Sequence, residues 1–413
     1  MKQSNRKFVV SMLLTVIIAQ LALAQDWPQW RGPNRDGAIV SFTEPKAWPE
    51  QLKLKWKVKV GAGYASPVVS GQRVYLHSRE GENEVVQAID LANGKQLWQD
   101  SYPVAYTMHP AATAHGKGPK ATPVIAQGKV YTFGISGVLS CYDSQSGKLR
   151  WRKETAKQFE NTLPMFGATA SPVVDHGLLI IHLGTNTKGS LTAFNAETGE
   201  EKWSWTGDSP SYASPIVAEL AGTRQVIAQA YRSIIGVSAD TGALLWQIPY
   251  KAVDNPHAMT PVIHQQTLIC SGYRRGTRAF KITKRGNEWT TEEAWFNEDV
   301  SMWLHSPVVS GDFLFGLSQK NSGQYFCLDA RTGKVLWTSE GRAGDYAVIL
   351  KSDNKLFLQT TDGHLIIAKM TDQGYEPLKQ YQVADSQTWA HPAIIKDQIL
   401  VKDVEHLMLW SWS

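Results

Sequence analysis

Residues 194–203 read FNAETGEEKW, a polar turn around Gly199 that closes on Trp203. The frame returns four more times, in AIDLANGKQLW ending at Trp98, CYDSQSGKLRW at Trp151, GVSADTGALLW at Trp246 and CLDARTGKVLW at Trp337. Each copy has Gly four residues before Trp, and Asp, Asn or Ser four before Gly. Five copies of one spacing define a repeat. Asp90, Asp143, Asn195, Ser238 and Asp329 can cap the turn through a side-chain oxygen, and Gly94, Gly147, Gly199, Gly242 and Gly333 supply the left-handed backbone that closes a hairpin.

A second landmark alternates with the first. Ser66, Thr122, Ser171, Ser214, Thr260, Ser306 and His391 each precede a proline that opens an apolar, β-rich run such as SPVVSGQRVYL. The gap from Pro307 to Pro392 is nearly double the others, and DYAVILKSDNKLFLQT fills it as a copy without its proline. Eight units result, each reading as four antiparallel strands in roughly 40 to 50 residues. One such sheet cannot bury both faces, so the units must stack radially. The predicted fold is all-β, an eight-bladed β-propeller of four-stranded antiparallel blades. The last unit runs out after three strands, and LKLKWKVKV at 52–60 supplies a fourth, with Trp56 in the tryptophan position. An N-terminal strand would thus complete the C-terminal blade and leave no raw edge.

The Asx-x-x-x-Gly-x-x-x-Trp turns and Ser-Pro strands resemble the PQQ-like (pyrroloquinoline quinone-like) β-propeller repeat family, across residues 52–413. That family includes the propeller lipoprotein of outer-membrane β-barrel assembly and the quinoprotein alcohol dehydrogenases, and its ring architecture is shared with WD40- and YVTN-type propellers. DWPQWRGPNRDG at 26–37 resembles the start of many exported members. In the quinoprotein enzymes, the resemblance implies adjacent cysteines over the quinone, a tryptophan floor, and Glu, Asn and Asp on calcium. This chain has no Cys-Cys pair and no c-type haem motif. PQQ and calcium are therefore disfavoured, no cofactor or metal is expected, and the repeats read as scaffold rather than enzyme. Neither H-E-x-x-H nor G-x-S-x-G is present. Cys141, Cys270 and Cys327 stand far apart and read as compact buried hydrophobes.

The N-terminus reads as a signal peptide over 1–24. Lys2, Arg6 and Lys7 precede an apolar run, and Ala22-Leu23-Ala24 fits a signal-peptidase site. Gln25 follows where a lipid-attachment cysteine would stand. A 25–51 extension and the 52–413 propeller would then make a periplasmic or secreted protein, expected to be a monomer without a transmembrane anchor. Losing the three leader cations takes 42 basic side chains to 39, against 37 acidic ones, which gives no reason to expect nucleic acid as a partner.

Strand order assigns the loops to faces. The Asx-Gly turns lie on one side. The loops between second and third strands and the crossings between blades lie on the other, and the crossings are long and chemically varied. They bring Tyr64, His115, Lys120, Phe166, Tyr212, Trp303, His305, Tyr346, Trp389 and His391 to the starts of the innermost strands, while the loops add Arg79, Arg232 and Arg274. A funnel of rings and cations suits an anionic or sugar-like small molecule, with an envelope protein as the alternative partner. The predicted role is a ligand-binding or protein-interaction module; the alternatives are a PQQ-dependent dehydrogenase and an envelope assembly scaffold.

Overall fold

A computed structural model describes residues 26–40, 42–160, 163–254 and 256–413; the expected leader lies outside them. The chain folds as eight four-stranded antiparallel sheets arranged as the blades of a propeller. Seven blades are continuous in sequence: 68–103, 124–154, 173–205, 216–249, 262–297, 308–338 and 347–382. The eighth combines 393–411 with the strand Lys53–Lys59, whose Trp56 pairs with Leu409. Strands are lettered A to D outward from the axis.

The repeated turns form as their residues require. The Asp90 carboxylate accepts from the amides of Ala92 and Asn93 at 2.9 and 3.2 Å. The tryptophan leaves its own blade: Trp98 Nε1 donates to Ser144 O in the next blade at 2.9 Å, and Trp56, Trp151, Trp203, Trp295 and Trp337 likewise reach Leu91, Ala196, Ala239, Ala330 and Thr371. Trp246 is the exception. Blade 5 turns through a longer hairpin around Gly286 with no capped Asx turn, and the Trp246 indole donates to Gln225 Oε1 within its own blade at 2.6 Å.

The turn glycine therefore has a second duty. Gly147 sits at φ 72°, and a Cβ there would lie 2.5 Å from the Trp98 ring. Gly128 has a similar φ of 73° with open space around it. Gly147→Ala is expected to cost about 2–4 kcal/mol, backbone strain plus displacement of the indole. Gly128→Ala should cost only the strain, about 1–2 kcal/mol. Denaturant midpoints of the two variants measure the difference; equal losses would exclude the packing role.

The Ser-Pro landmarks build a ring of hydrogen bonds around the axis. The His391 amide donates to Ser66 Oγ, Ser66 to Thr122 Oγ1, Thr122 to Ser171 Oγ, Ser171 to Ser214 Oγ, Ser214 to Thr260 Oγ1 and Thr260 to Ser306 Oγ, all at 2.8–3.2 Å. Each hydroxyl satisfies a backbone donor of the preceding blade, which a Val or Ala could not do. The three cysteines are free and buried, and burial pushes the Cys141 and Cys327 thiols up to about 12.

Residues 26–40 cross the face that carries the A–B turns. Trp27 exchanges backbone hydrogen bonds with Val69 of blade 1 at 2.9 and 3.0 Å, Pro28 O accepts from Ile125 of blade 2, and Ile39 donates to Lys351 O of blade 7. Between these anchors Arg31 and Arg35 turn into the channel and close it.

Candidate functional site

On the opposite face the channel opens as a funnel, a cavity of about 230 Å³ with Trp30 at its floor. An arc of rings forms one wall. Tyr346 and Trp389 have centroids 5.1 Å apart, Trp389 stacks on Tyr64 at 5.5 Å and 20°, and His115, Phe166 and Tyr212 continue edge to face at 5.3 and 5.4 Å. Hydrogen bonds fix the rings: Tyr346 Oη donates to Trp389 O at 3.0 Å, and the Phe166 amide donates to Tyr212 Oη at 3.3 Å. Trp303 and His391 also line the space, and Ser66, Thr122, Ser171 and Ser214 of the hydroxyl ring rim it.

Lys120 is the cation of the wall. Its Nζ donates to Gly116 O at 3.3 Å and lies 5.6 Å from the Tyr64 ring centroid. Burial, opposed by the Glu84 charge, lowers its pKa to about 8. Burial and Lys120 together lower His115, and burial lowers His391 to about 3, so both imidazoles are neutral at neutral pH.

The floor comes from a segment the sequence reading left without a role. Arg31 donates to Ser306 O at 2.7 Å and Pro307 O at 2.5 Å, where blade 7 lacks the Ser-Pro pair and the hydroxyl ring stops. Arg35 donates to Ser171 O and Pro172 O at 3.0 and 2.8 Å. Both guanidinium carbons lie within 5.6 Å of the Trp30 ring centroid. Burial lowers the two pKa values to about 10 and about 9, so both remain charged at neutral pH.

Nine of the thirteen residues assigned to the funnel line this cavity: Tyr64, His115, Lys120, Phe166, Tyr212, Trp303, Tyr346, Trp389 and His391. Four do not. Arg79 is buried against its own B–C turn, donating to Gly81 O, Glu82 and Val104 O. Arg232 is paired with Asp208 at 3.0 Å. Arg274 lies over the Tyr273 ring at 5.0 Å, and the buried His305 is bonded to Leu317 O. The B–C loops share the funnel's face but stand a strand further from the axis, so their cations meet local partners before they reach the mouth.

The lining also bears on the quinone. Among the described residues, no Asp, Glu or Asn lines the cavity, and no cluster of three or more His, Cys, Asp or Glu side chains suited to a metal occurs. The described lining therefore offers no carboxylate or Asn oxygen to a calcium-held quinone.

Fold and repeat together define a PQQ-like β-propeller. The sequence profile of the outer membrane protein assembly factor BamB family matches residues 47–109, 82–339 and 301–374, and the chain belongs to that family. It is 24% identical over 301 residues to the BamB of Shewanella oneidensis, covering 69% of this chain and 72% of that protein. To the BamB of Yersinia pestis it is 23% identical over 372 residues, 86% and 77% of the two chains. Among solved structures, BamB of Moraxella catarrhalis superposes with a TM-score of 0.64 at 14% identity, covering 87% of this chain and 97% of that one. The quinohemoprotein alcohol dehydrogenase of Comamonas testosteroni gives 0.69 at 15% identity, covering 95% and 81%. These likenesses show the fold. No helix among the described residues is long and apolar enough to cross a membrane.

Proposed function

We propose that this protein is a non-catalytic recognition propeller of the cell envelope, exported and monomeric, whose funnel binds a small ligand or a protruding group of a protein partner. The observation that carries the reading is the aromatic cavity with a closed floor. Aromatic planes fixed by hydrogen bonds offer stacking surface that is already ordered before a ligand arrives. Family membership favours a protein-facing role beside it, since the relatives are named as outer membrane protein assembly factors.

A ligand that binds only the folded state raises the melting temperature. Purified protein screened against uronic acids, sulfated sugars, aromatic acids, envelope peptides, and PQQ with calcium should show such a rise for at least one class other than the quinone. Trp389→Ala is expected to weaken that ligand tenfold or more, about 1.4 kcal/mol. Arg274→Ala, outside the cavity, should leave it unchanged. Equal effects of the two variants would remove the funnel from the reading, and a rise with PQQ and calcium alone would favour a quinone enzyme.

A further inference from the structure

One cation stands on the funnel wall and two lie beneath its floor, and among the described residues no carboxylate lines it. Lys120 stands on the wall with one long hydrogen bond to a neutral carbonyl. Beneath the floor, Arg31 and Arg35 are buried, and their hydrogen bonds go to backbone carbonyls and the Gln29 side-chain oxygen. The Nε atom of each has no partner.

No nearby acid among the described residues forms an ion pair with them. Asp36 spends Oδ1 on the Ala38 amide at 2.9 Å and is hydrogen-bonded to Arg31 through its backbone oxygen, its charge acting on the guanidinium without a direct bond. Glu84, whose charge reaches Lys120, is occupied by Tyr102 and the Ile135 amide at 2.7 Å each and by His77 at 3.4 Å. Two lining atoms, Thr169 Oγ1 and His391 Nδ1, are buried without a partner. A pocket with Lys120 on its wall and two arginines beneath its floor, none of them in a direct ion pair, attracts anions more than neutral ligands.

We propose that the funnel selects an organic anion, a planar ring held between the aromatic walls with its carboxylate-type group facing Lys120, bound without a metal. The proposal rests on the ligand-binding reading above and adds the charge of the ligand. Trp30 extends the same preference to the floor. Its ring is drawn to two guanidinium groups beneath and offers the cavity a face whose negative quadrupole those cations offset.

The probes are naphthoate and naphthamide, equal in shape and different in charge, with glucuronate and glucose as a second pair. Affinity is read from tryptophan fluorescence and melting shift at neutral pH. Naphthoate is expected to bind at least tenfold more tightly than naphthamide, and Lys120→Met to reduce that ratio severalfold while retaining naphthamide binding. Calcium or a chelator should change neither. Equal affinities within each pair would overturn the charge preference and leave the ligand-binding reading standing. If none of the four binds, the proposal of a ring-bearing anion fails, while a peptide or protein ligand remains open to the screen above. Should Lys120→Met lose both naphthyl ligands, thermal unfolding of the unliganded variant separates a collapsed pocket from a lost charge: a native melting temperature with no binding would overturn the assignment to Lys120.

Discussion

Replacing Glu84 by Ala is expected to destabilise the folded chain by about 3–5 kcal/mol. Glu84 lies in strand C of blade 1, fully buried, and holds blades 1 and 2 together through one carboxylate. Oε2 accepts from the Tyr102 hydroxyl at 2.7 Å and faces His77 Nε2 at 3.4 Å; Oε1 accepts from the Ile135 amide of the neighbouring blade at 2.7 Å. Truncation leaves the buried Ile135 amide with no acceptor and the Tyr102 hydroxyl with only His77 Nε2, at 3.3 Å. Gly134 belongs to the same arrangement, because a Cβ there would collide with Glu84 Oε2.

The carboxylate also carries a pH signature. Burial would raise its pKa, but the hydrogen bond and charge of His77, with Tyr102 and Ile135, outweigh burial and hold it below the ordinary value. A depressed folded pKa means that the stabilisation is present above the unfolded value, about 4.3, and is lost as pH falls through the folded one. The stability gap between the native chain and Glu84→Gln, followed by denaturant titration, should therefore be full at pH 7 and shrink below about pH 4. A loss under 1 kcal/mol for Glu84→Ala, or a gap that does not change with pH, would remove the bridging role.

Much of the ring was legible in sequence because its demands are local. A capped turn needs an Asx oxygen and a left-handed glycine a few residues apart, and the spacing of Asp143, Gly147 and Trp151 records both. Where the demand is only for a bulky ring in strand D, the pattern fades. Trp295 docks on blade 6 without an Asx-Gly turn before it, and blade 7 uses Tyr381, whose hydroxyl donates to Pro49 O at 2.9 Å. Loop face was readable from strand order; distance from the axis was not. That is why Tyr64 and Trp389 reach the cavity while Arg79 and Arg232 turn back on nearer partners. The floor was the least legible part. Arg31 and Arg35 bind backbone carbonyls as far as 276 and 137 residues away, and a carbonyl has no side-chain signature.

The second large effect follows from how that floor is held. Trp27 is among the largest fully buried side chains, and its ring packs where a Cβ on Gly32 would come within 3.1 Å. Trp27→Ala should remove about 3–5 kcal/mol from the docking of residues 26–40. Closure of the ring should survive, because the Lys53–Lys59 strand pairs with His406–Ser411 independently of Trp27. The loss then falls on the segment: Arg31 and Arg35 leave the channel, Trp30 leaves the funnel, and two buried arginines become accessible to trypsin. The expected result is rapid cleavage after Arg31 and Arg35 with the propeller core intact by mass, and at least tenfold weaker naphthoate binding. Cleavage at the native rate with unchanged affinity would show that the arginines hold the floor without the indole. The expected result would separate the propeller and its pocket in stability, since the blades close on strand pairing and the funnel closes on one tryptophan and two guanidinium groups.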